Sequence, residues 1–290
     1  MSTAAETSPK KRNEFLYFAF KNAKLRIGLI IVILFVLLAI FGPMFTHHVI
    51  NDNEAIGANP PSSQYWLGTT LFGQDVYTQF VYGLRTTILV GLIGGGLAMV
   101  IGMLIGFISG FKGGVLDEIL NIFTNIILVI PTMAVLLIMA AYLKVRGIII
   151  ESIFIGLTSW PWAARAIRAQ TFSLGSRDFV DLARLSGMKT IKIIFKEIAP
   201  NMMSYLFMTL ILEFGGAILT AATLDFIGLG PTQGISLGLM MNYATLGGSL
   251  LLGLWWWFIP PGLAITILVG SLYVMNVGLD EVFNPKLREL

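Results

Sequence analysis

Catalysis needs groups that titrate, ligate or attack, and this chain supplies few of them. Its 290 residues include no cysteine and only two histidines, which removes thiolate nucleophiles, disulfides and cysteine metal sites. His47 and His48 are adjacent, so they cannot share a helix face. At a membrane boundary they read as a solvated pair and not as a metal site. Gly187-Met188-Lys189-Thr190 looks like the end of a phosphate-binding loop, but the upstream glycine is missing and no strand precedes it. No catalytic residue, no metal site and no nucleotide site of the chain's own is assigned.

What remains are polar groups in apolar surroundings. Glu213 stands halfway along an uncharged run, where an ionised carboxylate is costly unless it is paired or faces water. It reads either as a pathway or proton-relay residue, or as a structural carboxylate bonded to a neighbouring helix or partner subunit. Asp225 is the sole charge between residues 224 and 254 and joins Glu213 and Asn125 as a pathway candidate. For Asn125 and Asn276 the alternative is hydrogen bonding between helices.

The other charged feature is a stretch, residues 176–200, where charge returns at helical spacing around a central glycine. Before Gly187, the residues Phe179, Val180, Leu182, Ala183 and Leu185 make a short apolar surface on a predicted helix that Asp178 can cap. Gly187 can take the left-handed conformation that ends a helix. After it, Ile191, Ile194, Phe195 and Ile198 resume at helical spacing, and Pro200 stops the run. Two short helices about a glycine bend suit either a groove in a soluble partner or, being basic and amphipathic, an anionic lipid surface.

The elements that position these residues are membrane helices. Hydrophobic residues make up 56% of the chain and charged ones 12%, with a mean hydropathy of +0.82, outside the range of soluble domains. A helix needs about 20 apolar residues to cross hydrocarbon. Six runs are read as spans: 27–45, 86–111, 119–143 with Pro131 inside, 148–164 with Pro161 inside, 202–223 and 255–279. The basic flank in residues 1–26 places the N-terminus in the cytoplasm. Residues 46–84 form an outer loop. Residues 165–200 carry seven Lys and Arg against three acids and fall inside by the same count of spans. Residues 224–254 read as an outer re-entrant stretch, Trp255, Trp256 and Trp257 as an aromatic interface anchor, and residues 281–290 as a cytoplasmic tail. Gly94, Ala98, Gly102, Gly106 and Gly110 repeat every four residues, a stripe that lets another helix approach closely. The fold expected is thus an all-α integral membrane protein with six transmembrane helices and both termini cytoplasmic.

These residues also carry a resemblance. Asp181-Leu182-Ala183, then Arg184, Leu185, Ser186 and Gly187, continuing to Ile198-Ala199-Pro200, resembles the EAA motif of ABC importer permeases. Asp181 stands for the usual Glu and Leu182 for a small alanine. Trp66-Leu67-Gly68-Thr69, Gly73-Gln74-Asp75-Val76 and Tyr82-Gly83-Leu84-Arg85-Thr86 are similar to outer motifs of the second permease of the dipeptide and oligopeptide importer family. There Thr70 and Gln74 replace an acidic and a basic residue. Leu224-Asp225-Phe226-Ile227-Gly228-Leu229-Gly230 and the closing stretch 278–288 extend the match, which runs from about residue 65 to 288. Residues 156–165 and 255–265 look closest to members that serve oligosaccharides.

The resemblance implies that residues 85–280 form a five-helix permease core, with a cytoplasmic coupling helix between the fourth and fifth spans. Asp181, Leu182, Ala183, Arg184, Leu185, Ser186, Gly187, Met188, Lys189 and Pro200 would then grip the ATPase. It implies as partners a second homologous permease, two cytoplasmic ATP-binding subunits that hold ATP and Mg, and an extracytoplasmic binding protein, all at a prokaryotic cell membrane, with peptide or oligosaccharide as cargo. This chain would bind lipid, no nucleic acid and no cofactor. A proton-coupled secondary transporter working through Glu213 is the alternative of another class; a membrane enzyme lacks the clustered groups it would need.

Overall fold

A computed structural model of the chain describes residues 21–50, 52–53, 55–143 and 146–283. The basic residues Lys10, Lys11 and Arg12 and the closing residues 284–288 lie outside them. Among the described residues the fold is helical, with one isolated bridge between Thr69 and Asp75. In chain order the helices are α1 Ala23–Phe41, α2 Val76–Lys112, α3 Gly114–Val129, α4 Thr132–Tyr142, α5 Ile148–Gly175, α6 Asp178–Leu185, α7 Thr190–Ile193, α8 Ala199–Asn201, α9 Met203–Phe226, α10 Leu237–Leu246 and α11 Trp255–Phe283.

By length and composition, four helical stretches can cross a membrane: Ala23–Phe45, Val76–Lys112, Met203–Phe226 and Trp255–Phe283. The pair α3 and α4 makes a fifth, bent by 72°. The bend follows from Pro131, which lacks a backbone N–H and holds Ile130 extended at ψ 122°, the conformation a following proline favours. Pro161 acts differently and is carried inside an unbroken α5.

Two helices are longer than the apolar runs suggested. The second begins at Val76, ten residues ahead of the expected 86, because Asp75 caps it by accepting from the Thr78 amide at 2.9 Å. Val76, Val81 and Leu84 of this added stretch are fully buried. Helix α5 runs on to Gly175 instead of ending near residue 164. Arg165 and Arg168 mark where the chain leaves apolar surroundings, yet charge does not stop a helix, and no breaker intervenes before Gly175.

The glycine stripe of α2 packs on α5. A methyl group added at Gly106 would lie 2.8 Å from the Ala164 carbonyl oxygen and 2.9 Å from the Ile167 Cβ. At Gly102 it would lie 2.6 Å from the Ala163 Cβ, and at Gly94 3.2 Å from the Ser152 carbonyl oxygen. A second pair, Gly91 and Gly95, brings the same helix against Phe214 and Ile218 of α9. Small residues on two faces thus place α2 between α5 and α9 at near backbone contact.

The stretch after α9 is packed in part, while Thr232, Gln233 and residues 250–253 are exposed. Ile235, Leu237, Leu239 and Met240 join a core with Trp257, Leu268 and Leu272 of α11. The three tryptophans expected as an interface anchor divide accordingly. Trp257 is 1% exposed and belongs to that core, Trp256 donates its indole N–H to the Thr69 carbonyl at 3.1 Å, and Trp255 alone is exposed. Helical periodicity turns three consecutive side chains about 100° apart, so they cannot all face one interface.

Candidate functional site

The loop of residues 176–200 folds as two short helices about a turn. Gly187 has φ +75°, its amide donates to the Arg184 carbonyl at 3.0 Å, and the Met188 amide donates to the Ala183 carbonyl at 3.1 Å. These bonds satisfy carbonyls left open at the end of α6, and only glycine takes that φ without steric cost. Asp178 is not the cap. Arg177 occupies that position without a side-chain bond, and Asp178 and Asp181 sit in the first turn, where they favour the positive end of the helix dipole.

One face of this unit is locked into the chain. Val180, Ala183, Ile193, Ile194 and Ile198 are buried in a cluster with Phe107, Ile167 and Met202, and Met188 packs against it. A single turn of π-helix, Ile194–Ile198, follows α7 and turns both Ile194 and Ile198 inward. The other face is bare: Leu185 is 84% exposed and Leu182 66%, with Ile191 and Phe195 also exposed. Arg184 bonds Asp181 at 3.0 Å and lies 5.0 Å from the centre of the Phe111 ring. Of the residues expected at the grip, Leu182 and Leu185 point away from the chain. Ala183 and Met188 instead anchor the loop from within, and Pro200 lies in α8 at the entry to α9.

The root of the loop is tied by charge. Arg168 of α5 meets Asp117 of α3 through two bonds of 2.6 Å, and Asp117 also accepts from Ser109 of α2. The two residues are 51 apart in the chain, so no local sequence pattern pairs them. Asn125 accepts from Arg165 at 2.7 Å, so it joins α3 to α5 as a bond between helices.

The other two pathway candidates separate in space. Asp225, 2% exposed, lies at the C-terminal end of α9. It accepts from the Ser236 hydroxyl, whose oxygen in turn caps α10 through the Leu239 amide at 3.0 Å. The carboxyl of Glu151 from α5, also buried, lies beside Asp225, and the Arg146 guanidinium stands near both. Arg146 is held by the carbonyls of Gly230 at 3.0 Å and Ala140 at 3.3 Å. Asp225 is therefore part of an internal polar junction, and its partner Glu151 lies inside the run 148–164 that the sequence reads as a span, 74 residues away in the chain. Glu213 lies instead on an open pocket of about 320 Å³ shared by α5, α9 and α11. Among the described residues, no group of three or more His, Cys, Asp and Glu side chains is arranged to hold a metal ion.

Comparison with known proteins bears on the same segments. The family model described as binding-protein-dependent transport system inner membrane component matches residues 102–289, which include the loop and both carboxylates. The model for the N-terminal TM domain of oligopeptide transport permease C matches residues 19–61. The oligopeptide transport system permease protein OppC of Bacillus subtilis is 33% identical over 93% of this chain and 88% of its own length. The dipeptide transport system permease protein DppC of Alkalihalophilus pseudofirmus is 31% identical over 92% of this chain and 88% of its own. The di/tripeptide transport system permease protein DppC of Pseudomonas aeruginosa is 29% identical over 90% and 88%.

Proposed function

The chain belongs to the family of inner-membrane components of binding-protein-dependent transport systems, and from that premise we propose that it is the peptide-translocating permease subunit of an ATP-driven importer. It lies in the inner membrane as a multi-pass protein. It crosses six times, with α1, α2, the bent pair α3 and α4, α5, α9 and α11 as the spans, and both termini face the cytoplasm. A second permease of similar fold completes the passage. Two cytoplasmic ATPases and an extracytoplasmic binding protein complete the transporter, so ATP and Mg belong to the partners.

The observation that supports this reading most directly is the division of the loop about Gly187. Its inner face is buried among Phe107, Ile167 and Met202, while Leu182 and Leu185 are left bare on the opposite face. An exposed apolar pair on a firmly rooted helix is suited to transmit force, because displacement of α6 by an ATPase would be passed into α2, α5 and α9. A lipid-lying helix needs no such root. Peptide is favoured over oligosaccharide. The matched relatives are named for oligopeptides, dipeptides and tripeptides, and the stretches 156–165 and 255–265 hold packing residues such as Gly156, Trp160, Pro161 and Trp257.

The test is reconstitution of the co-expressed complex with its binding protein in proteoliposomes. Peptides are expected to accumulate only with ATP present, and to stimulate ATP hydrolysis where oligosaccharides do not. Uptake driven by a proton gradient without ATP would overturn the ATP-driven reading, and stimulation by oligosaccharides alone would overturn the cargo.

A further inference from the structure

Glu213 opens onto a pocket whose other walls carry the chemistry of a cation site. The pocket is lined by Ser159 and Trp162 from α5, Gly216 and Thr220 from α9, and Tyr273 from α11. Glu213 is 6% exposed, and its carboxyl is approached by the Ala163 backbone amide. Among the described residues no basic side chain forms an ion pair with it. A carboxylate at this depth is expensive unless a cation or water offsets it. The neighbouring residues are those that receive an ammonium group well: an indole and a phenol ring, whose faces attract cations, and two hydroxyls that accept hydrogen bonds.

The pocket is separate from the internal junction of Glu151 and Asp225, where Arg146 already supplies a positive charge. Gly216 sharpens the contrast. A methyl group there would meet nothing within 4 Å, so this part of α9 borders open space, whereas Gly91 and Gly95 opposite are packed against Phe214.

We propose that Glu213, with Trp162 and Tyr273, forms a binding site on the translocation surface for a cationic group of the cargo, either the α-ammonium of a peptide or a lysine or arginine side chain. The proposal rests on the permease reading and adds to it the group recognised. Cargo passing α5, α9 and α11 exchanges part of its hydration for the carboxylate and the two rings, which lowers the cost of holding a charge at that depth. Release follows when movement of α5 relative to α9 separates Trp162 from Glu213.

The test compares the wild-type complex with Glu213→Gln and Trp162→Leu complexes in proteoliposomes, using one binding protein throughout. Three probes share a neutral core: a free tripeptide, its N-acetylated form, and an N-acetylated form with lysine at the central position. The quantity read is the uptake ratio of each cationic probe to the neutral one, divided between wild type and variant, so that selection by the binding protein cancels. Glu213→Gln is expected to lower this double ratio about tenfold, the scale of one lost bond to a charged group, and Trp162→Leu to lower it less. The probe that responds distinguishes the α-ammonium from the side chain. A double ratio of one in both variants overturns the site, while absence of ATP-driven uptake by the wild type overturns the permease reading instead. A uniform loss for all probes, with the second permease no longer co-purifying, assigns Glu213 to a basic residue of that partner and also overturns the proposal.

Discussion

Arg168 holds Asp117 with both nitrogens of its fork, Nε to Oδ1 and Nη2 to Oδ2, each at 2.6 Å. The pair joins the C-terminal half of α5 to the first turn of α3, and Ser109 adds α2 to the same carboxylate. A planar bidentate grip fixes orientation as well as distance, so three helices are tied together ahead of the loop of residues 176–200.

Arg168→Lys keeps the charge and loses the fork. It is expected to lower the melting temperature of the purified complex and to reduce peptide uptake per ATP hydrolysed. Asp117→Ala should cost more, roughly 1.5 to 3 kcal/mol for bonds to a charged group. Thermal unfolding and the ratio of transport to hydrolysis read the two effects; an unchanged ratio in both variants would separate this pair from coupling.

The glycines of α2 offer a contrast within one helix. At Gly106 an added methyl meets the Ala164 carbonyl oxygen, the Ile167 Cβ and the Arg168 amide at 2.8 to 3.0 Å, while at Gly96 it meets nothing within 4 Å. Gly106→Ala must push α5 away and is expected to cost about 1 to 3 kcal/mol. Gly96→Ala should be neutral or stabilising by up to about 1 kcal/mol, the helix-propensity difference. Melting of the detergent-solubilised protein orders the two variants, and the reverse order would refute the packing assignment.

Gly187 is constrained by its backbone alone. Its φ is +75° and a side chain there would enter open space, so Gly187→Ala carries only the left-handed strain of about 1 to 2 kcal/mol. Gly187→Leu adds bulk at the tip of the turn. Both should insert into the membrane normally, with transport reduced and the larger loss in the leucine variant. Normal transport by Gly187→Leu together with retained ATPase would show that the bend is not used.

Leu185 and Val180 lie on opposite sides of α6, 84% and 0% exposed. Leu185→Ala is expected to leave the permease's own melting unchanged and to weaken ATPase binding by about 1.5 to 3 kcal/mol, the value of burying such a side chain. Val180→Ala should lower the melting temperature first and affect ATPase binding only in consequence. Co-purification and thermal unfolding of each variant separate the two; an ATPase that binds Leu185→Ala as tightly as wild type is docked elsewhere.

By itself, the amino-acid order determined what is encoded locally or by period. The length of the apolar runs, the four-residue glycine stripe and the glycine-centred basic loop all have fixed spacing, and each reappears as a helix, a close helix contact and a left-handed turn. Helix ends were less legible, since Arg165 marks a change of surroundings while α5 continues to Gly175, and Asp75 begins α2 before the apolar run does. Only the tertiary structure decided which groups meet. Asp225 and Glu213 are twelve residues apart on one helix and both read from the sequence as pathway candidates, yet Asp225 turns toward Ser236, Glu151 and Arg146 while Glu213 opens onto Trp162 and Tyr273. Their partners come from helices remote in sequence, and no local pattern records the packing that brings those helices together.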